Sequence, residues 1–167
     1  AVAGEDEGLA ANEEVKCSLD WEKRYRLMRM HTSAHIMAAI VNREYGALIT
    51  GNQLGEQQTR MDFDAPQFTK EKMPEVERKA NELIGKNLLI SIAFEERGKA
   101  LARPELFRLK DVLPKDIPVL RILSIGDFDE QADGGTHVKS TREIGRVKIV
   151  EMKNKGAENR RIYWELV

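Results

Sequence analysis

The sequence contains very few of the residues that form disulfides and metal sites: one cysteine, Cys17, and three histidines among 167 residues. A single cysteine cannot form an internal disulfide, which excludes a small disulfide-stapled secreted domain and agrees with a reducing cytoplasm. No apolar run is long enough to span a bilayer, and the first residues lack the pattern of a signal peptide. We therefore expect a globular, cytoplasmic protein that does not bind membranes.

An excess of charge of one sign is also missing, because 27 Lys and Arg residues face 28 Asp and Glu residues. A nearly neutral chain does not coat nucleic acid through its overall field, so any RNA binding must come from a local basic patch. Residues 1–13 are acidic and poor in large apolar side chains, which is typical of a linker or the remnant of another domain. The length predicts one folded domain, which we place at residues 14–167.

One long helix dominates the predicted secondary structure. The run from Trp21 to Tyr45 has no proline or glycine, and its apolar residues recur at helical spacing. Asp20 stands at the N-cap position and Gly46 at the C-terminal end. A second helix is predicted to begin at Thr69 or Met73 and to end at Gly85.

Six segments have the alternating or continuous apolar pattern of β-strands: residues 15–19, 59–64, 88–94, 119–128, 144–152 and 161–167. The glycine-rich stretch GALITGNQLG is predicted to be a loop, and a short helix is predicted around residues 104–110. Hairpin-sized connections between several strands indicate an α+β fold, with a mainly antiparallel sheet and the long helix packed on one of its faces.

The three histidines fall in two clusters that resemble metal ligands. His31 and His35 are four residues apart in the predicted helix, an advance of about 400°, so both imidazoles project from one face. His137 lies in the segment ADGGTHV, four residues after Asp133. Two histidines from a helix, with Asp133 and His137 from a glycine loop, make a complete set of ligands for a first-row metal such as Zn²⁺.

Other interpretations of these histidines remain open at this point. A His-x-x-x-His pair occurs by chance, and a histidine after Gly-Gly-Thr is often a capped loop residue. Because a histidine-poor chain places every histidine in one of the two clusters, we favour the metal site. A zinc metallopeptidase is excluded, since its helix motif needs Glu directly after the first histidine and this chain has Thr32 there.

Two segments carry a resemblance to a known family. RYRLMRMHTSAHI, followed by GGTHVKSTREIGRVKI, resembles the paired motifs of the alanyl-tRNA editing proteins, the AlaX family. These are free-standing relatives of the editing domain of alanyl-tRNA synthetase and share a core with that of threonyl-tRNA synthetase. The stretch RMDF is similar to the family's R-F-D-F strand, and the GGTH-V-x-x-T-x-E-I-G run favours the alanyl branch.

The resemblance implies a zinc-dependent hydrolase that deacylates tRNA(Ala) carrying serine, or sometimes glycine, at its acceptor end. It places the metal ligands at His31, His35, position 133 and His137. The family usually has Cys at position 133, where this chain has Asp. A carboxylate is a harder ligand than a thiolate, so we expect a weaker or less selective Zn²⁺ site. Cys17 is an alternative ligand that we do not favour.

The resemblance also implies a difference at the front of the chain. Larger members carry an additional N-terminal domain, and VKCSLDWEKRYR is similar to the join between that domain and the editing core. We expect the domain to be absent here. The sequence does not indicate an oligomeric state.

Candidate reactive and recognition residues surround the predicted ligands. Thr32 is suited to recognising a serine hydroxyl; the alternative is a hydrogen bond to the helix carbonyl four residues earlier. A metal in the site can activate water or hold the substrate amine or carbonyl, and backbone N–H groups of the glycine loop can reach a developing oxyanion. The candidate catalytic residues are Thr32, Gly134, Gly135 and Thr136, and the candidate substrate-binding residues are Asn52, Gln53, Arg60 and Asp62.

Two groups of basic residues are candidates for contacts with RNA phosphates. The alternative is that they form a solvent-exposed charged surface without a partner. They are Arg24, Arg26 and Arg29 before the first histidine, and Lys139, Arg142, Arg146 and Lys148 after the last. A non-catalytic, metal-stabilised module that binds RNA or protein is the alternative to an enzyme, and a metal-free scaffold is a third.

Overall fold

The computed structural model describes residues 12–109 and 117–167. It is an α+β fold with two antiparallel sheets, which confirms the predicted fold class. The predicted linker lies mostly outside the described residues. None of the helices in the described ranges is long and apolar enough to cross a membrane.

Within the described ranges, three α-helices and seven strands follow one another along the chain. They are α1 (Trp21–Tyr45), β1 (Ile49–Gln53), β2 (Gln58–Phe63), α2 (Met73–Gly85), β3 (Ile90–Glu96), α3 (Arg97–Leu101), β4 (Val119–Ile125), β5 (Asp129–Ala132), β6 (Val147–Asn154) and β7 (Arg160–Leu166). One sheet has the order β1-β2-β7-β6 and the other the order β3-β4-β5.

Helix α1 begins and ends where the sequence predicts. The Asp20 carboxylate accepts a hydrogen bond from the Lys23 N–H at 3.0 Å, and Gly46 adopts the left-handed conformation that ends the helix. From Thr32 to Val41 every residue is buried, so this half of the helix is covered on all sides.

Helix α1 packs on one face of the first sheet, as predicted, and also contacts the second sheet. On one side the Trp164 indole N–H of β7 donates to Ser33 Oγ at 2.9 Å. On the other side the Gln131 amide of β5 donates to the His35 carbonyl at 3.3 Å. The helix therefore carries His31 and His35 to the place where the two sheets approach each other.

Four details of the predicted secondary structure are wrong. Residues 15–19 form no strand and are exposed, since no described strand pairs with them. The glycine-rich loop contains β1, which pairs with β2 across a bulge. The predicted strand 119–128 ends at Ile125, because Gly126 adopts a positive φ and turns the chain into β5. Ile144 belongs to a 3₁₀ turn, closed by a capping box between Ser140 and Glu143, and β6 begins after it.

The segment between β3 and β4 also differs from its prediction. Only Pro104–Leu106 forms a 3₁₀ turn in place of the expected helix, while α3 precedes it. Lys110, the predicted end of that helix, lies outside the described residues. Leu106 and neighbouring residues form a small second core under this segment, which positions Phe107 and Arg108 beside the histidines.

Candidate metal centre and its cavity

The three imidazoles converge on the carboxylate of Asp133. The Nε2 atoms of His31 and His35 lie 3.3 and 3.6 Å from Asp133 Oδ1, and His137 Nε2 lies 2.9 Å from Oδ2. One ligand atom from each of these four residues lies within 4.8 Å of the others. The two helical histidines and the two residues after β5 thus meet in one cluster, as their spacing predicted.

Hydrogen bonds to its side chain and to its backbone hold Asp133 in place. Its Oδ2 accepts a hydrogen bond from the Gly135 N–H at 2.5 Å, and Arg121 of β4 donates to its backbone carbonyl at 2.9 Å. Burial alone raises the pKa of this carboxyl, but the three surrounding histidines outweigh burial and hold its pKa well below the usual range. The side chain is therefore a carboxylate at neutral pH.

His137 is oriented by a hydrogen-bond relay behind the cluster. The Thr32 hydroxyl donates its one proton to the Met28 carbonyl at 2.9 Å, so its contact of 3.2 Å with His137 Nδ1 requires a proton on that nitrogen. Burial lowers the pKa of His137 to about 4, against the opposing effect of Asp133. At neutral pH the imidazole is neutral, with its Nε2 lone pair directed at Asp133.

This arrangement brings two acceptors face to face. A lone pair on His137 Nε2 and a carboxylate oxygen of Asp133 at 2.9 Å repel each other unless a proton or a cation lies between them. The ring of His35 turns Nε2 to Asp133, and its other nitrogen, Nδ1, is buried without a hydrogen-bond partner among the described residues.

The four residues fit a divalent metal. A tetrahedral ion with bonds of about 2.0–2.2 Å to nitrogen and oxygen places its ligands roughly 3.3–3.5 Å apart, close to the carboxylate–imidazole distances of 2.9–3.6 Å. Three imidazoles and one carboxylate suit Zn²⁺ and also other first-row ions. Cys17 is exposed and is not part of the cluster.

Gly135 packs against the ring of His31. A Cβ atom at this position would lie 2.2 Å from His31 Cε1 and 2.6 Å from Nδ1, closer than any real contact. At Gly134, in contrast, a Cβ would meet nothing within 4 Å. Since the Gly135 N–H is engaged by Asp133, Gly134 and the exposed Thr136 keep backbone N–H groups without a described partner.

A cavity of about 140 Å³ opens beside the cluster. Its polar walls come from Asn52, Arg108 and Gln131 together with three of the four cluster residues. The remaining walls are apolar and come from α1, the first sheet and its β1–β2 connection, the segment after α3, and β5: Ala34, Ala38, Ile49, Leu54, Met61, Phe107, Leu109 and Ala132. The cavity is large enough for a small organic group but not for a nucleotide.

Of the four predicted substrate-binding residues, only Asn52 lines this cavity. Alternation along β1 and β2 directs the other three to the opposite face of the sheet. There Arg60 donates to Gln53 at 3.0 Å and lies 3.6 Å from Asp62, whose carboxylate binds Arg161 through two hydrogen bonds of 2.5 and 2.7 Å. Arg60 therefore pairs with Asp62, but Arg161 is the closer partner of that carboxylate.

Arg108 and Gln131 were not predicted as site residues. Gln131 precedes Asp133 by two positions, and alternation along β5 was a signal that it shares a face with the cluster. Arg108 gave no local signal, because it reaches the cavity only through the packing of the segment after α3. Its guanidinium pairs with Asp129 at 2.8 Å.

The two predicted groups of basic residues differ in whether other residues of the protein engage their side chains. Arg29 donates to the Ile144 carbonyl at 2.7 Å and Arg26 pairs with Glu22, so both have structural partners. No ion pair within the described ranges engages the second group, Lys139, Arg142, Arg146 and Lys148. That group remains available to an anionic partner.

Replacing Thr32 by valine should weaken metal binding about 10- to 100-fold, because the hydrogen bond to His137 Nδ1 is lost from behind a ligand. Competition with a coloured chelator measures the affinity. Thr32→Ser keeps the hydroxyl and is the matched control. Equal affinities for the valine and serine variants would show that the relay has no effect on the metal.

Comparison with known proteins gives relatives that share these motifs. The family described as the threonyl and alanyl tRNA synthetase second additional domain matches residues 120–163, which include Asp133 and His137. The chain is 42% identical over 156 residues to the alanyl-tRNA editing protein AlaX-M of Saccharolobus solfataricus, and 43% identical over 161 residues to that of Methanosarcina barkeri. It is 36% identical over 146 residues to the alanine–tRNA ligase of Pyrobaculum arsenaticum.

These alignments cover most of this chain but less of its relatives. They include 93% and 96% of the chain for the two AlaX-M proteins and 84% for the ligase. The chain spans 65% and 66% of the length of the AlaX-M proteins and 16% of the ligase. The similarity therefore concerns the part of each relative that corresponds to the fold described above.

Proposed function

Because the chain belongs to the alanyl-tRNA editing proteins of the AlaX family, we propose that it is a metal-dependent hydrolase acting on mischarged tRNA(Ala). In this proposal it cleaves the ester between serine, or glycine, and the acceptor end of the tRNA. The observation that carries the proposal is the cluster of His31, His35, Asp133 and His137 at the wall of a small, largely apolar cavity.

The metal would be held by the three imidazoles and the Asp133 carboxylate. When bound, Zn²⁺ or a related cation supplies Lewis-acid assistance to ester hydrolysis. Thr32 lies on the side of His137 away from the Asp133 carboxylate and accepts a hydrogen bond from its Nδ1. This keeps the proton on Nδ1 and leaves Nε2 free as a ligand. Its hydroxyl is fully buried and already bonded, which favours this positioning role over direct recognition of serine.

The cavity and the glycine loop would hold the rest of the substrate. The apolar walls exclude water around the aminoacyl group, and Asn52 offers an amide on the side of the first sheet. The N–H groups of Gly134 and Thr136 have no hydrogen-bond partner among the described residues and would be the loop donors to a developing oxyanion, since Asp133 engages that of Gly135. Lys139, Arg142, Arg146 and Lys148 are the candidate contacts for the tRNA backbone.

Discrimination between serine and alanine tests this function directly. A pocket that hydrogen-bonds a substrate hydroxyl leaves its own polar group unpaired with the analogue lacking it. We expect deacylation of Ser-tRNA(Ala) at least about 100-fold faster than of Ala-tRNA(Ala), measured with radiolabelled esters under single-turnover conditions. Equal rates on the two esters, or no rate on either, would contradict the proposal.

The substitution of Asp for the family's usual Cys favours one alternative, a metal-stabilised module without activity. Asp133→Cys should increase the preference for Zn²⁺ over Mn²⁺, since a thiolate is the softer ligand, while deacylation persists in both proteins. Elemental analysis and the deacylation assay are made on both. Stoichiometric metal with no turnover in either protein would support the non-catalytic module.

A further inference from the structure

The metal cluster reaches solvent mainly through two of its four residues. The side chains of His31 and Asp133 are 20% and 18% exposed, whereas those of His35 and His137 are 9% and 1% exposed. The cavity beside the cluster has room for a small organic group only. The nucleoside of an esterified RNA end therefore has to lie outside the cavity, on the surface that borders His31 and Asp133.

Asp133, Arg121 and Phe94 form a row across the second sheet. The Asp133 N–H donates to the Arg121 carbonyl at 3.0 Å, which continues the pairing of β5 with β4, and Arg121 is the register partner of Phe94 in β3. Directly paired residues point to the same face of a sheet, and the Arg121 side chain reaches Asp133. Phe94 is therefore on the face of the cluster, about 10 Å from Asp133 along the row, since neighbouring strands are about 4.8 Å apart.

Arg121 uses only part of its guanidinium group. Nη1 donates to the Asp133 backbone carbonyl at 2.9 Å and lies 3.5 Å from Oδ2 of the same residue. Nε and Nη2 have no hydrogen-bond partner within the described ranges, and the side chain is partly exposed. A planar guanidinium held through one nitrogen presents its remaining N–H groups in a fixed direction, and that fork suits two oxygens of a phosphate.

Phe94 is the most exposed large apolar side chain of the described residues, at 72%. Strand β3 lies at the edge of its sheet, so one side of the ring has no neighbouring strand. A single exposed apolar residue is ordinary on a protein surface. An exposed ring next to a cation with unused donors, in one row with a metal ligand, is complementary to the two halves of a nucleotide, the base and the phosphate.

We infer that Phe94 and Arg121 form a platform for the 3′-terminal nucleotide of the substrate. The base stacks on the Phe94 ring, and the unused N–H groups of Arg121 bind the phosphodiester on the 5′ side of that nucleotide. The inference rests on the proposed function for the identity of the ester. Stacking tolerates any base, so the platform contributes affinity for a single-stranded 3′ end and not the choice of tRNA.

A second copy of the chain is the competing occupant of this surface. The segment ISIAF of β3 is an uncharged edge strand, which is a template for pairing with another strand. Pairing of two such strands supplies no anion to Arg121, whereas a nucleotide supplies one. The charge of the row therefore favours the nucleotide over a second copy.

The first test measures binding of a stable substrate analogue to the metal-loaded protein. Adenosine carrying serine through a 3′-amide is titrated in a calorimeter. Phe94→Ala should weaken binding about 10-fold, Phe94→Tyr should restore it, and Phe94→Leu should not, because leucine is apolar but has no aromatic face. Equal affinities for the leucine variant and the unaltered protein, or no loss with alanine, would overturn the stacking contact.

The second test adds a methyl phosphate to the 5′ oxygen of the same analogue. In the unaltered protein the phosphorylated compound should bind about 10-fold more tightly at low salt, and less so as salt is added. Arg121→Gln should abolish this difference. Because Arg121 also contacts a metal ligand, each variant is compared between the two analogues, and its metal content is measured. A phosphate without effect in the unaltered protein, or an equal effect in Arg121→Gln, would overturn the role of Arg121.

Sedimentation velocity on the unaltered protein and Phe94→Ala decides between the two occupants. A dimer that dissociates on substitution, with no change in analogue binding, would overturn the inference in favour of a second copy. The titrations also separate the inference from the proposed function. If the protein hydrolyses no ester but binds the analogue through Phe94, the function fails and the platform stands. If it hydrolyses Ser-tRNA(Ala) while all Phe94 variants bind equally well, the platform fails and the function stands.

Discussion

Replacing His35 by alanine is expected to remove the metal and to slow deacylation of Ser-tRNA(Ala) by about 10³-fold, since metal assistance to such a reaction amounts to several kcal/mol. Its Nε2 lies 3.6 Å from the Asp133 carboxylate, inside the cluster. Its Nδ1 has no partner among the described residues, so truncation removes the contact of Nε2 with the Asp133 carboxylate and no other hydrogen bond of the ring. The loss should therefore appear in metal content and rate, and thermal unfolding measures the stability that the bound metal and the buried ring contributed.

The measurement combines elemental analysis, thermal unfolding and single-turnover deacylation. Arg26→Ala, on the exposed part of the same helix, is the control for helix propensity and handling, because the ion pair that Arg26 forms with Glu22 lies on the surface. A His35→Ala protein that keeps one metal per chain and its full rate would remove this histidine from the site.

Replacing Gly135 by alanine is expected to lower metal affinity and deacylation by about 100-fold, although it adds only a methyl group. The new Cβ would lie 2.2 Å from the His31 ring, and an imidazole packed inside the cluster has little room to move aside. Displacement of His31 by even about 1 Å takes a ligand out of position for the metal.

The neighbouring glycine provides a matched control. Alanine at Gly134 meets nothing within 4 Å and keeps the backbone N–H, so its effect should be at least about tenfold smaller than that at Gly135. Metal titration and deacylation rates on both variants measure the difference. Equal losses at the two positions would mean that loop flexibility, rather than contact with His31, explains the need for glycine.

Local signals predicted α1 and the metal cluster. Both ends of this helix were predicted correctly, because the signals lie in adjacent sequence. Asp20 precedes the helix, no glycine or proline interrupts it, and Gly46 follows it. The four-residue spacing of His31 and His35 then determined their shared face, and the glycine loop brought Asp133 and His137 together by local geometry.

Features that depend on distant packing were not predictable in the same way. The strand within the glycine-rich stretch exists because β2 pairs with it, and the division into two sheets depends on partners far apart in the chain. Burial of α1 between both sheets encloses Thr32, whose sequence position alone left two roles open. Arg108 reaches the cavity from a segment with no recognisable motif.

The most direct test of the whole account is deacylation of Ser-tRNA(Ala) before and after removal of metal. The protein is dialysed against a chelator, assayed, and assayed again after addition of one equivalent of Zn²⁺ per chain. We predict that the rate falls by about 10³-fold on chelation and returns with the metal. An undiminished rate in protein shown by elemental analysis to be free of metal would contradict the account.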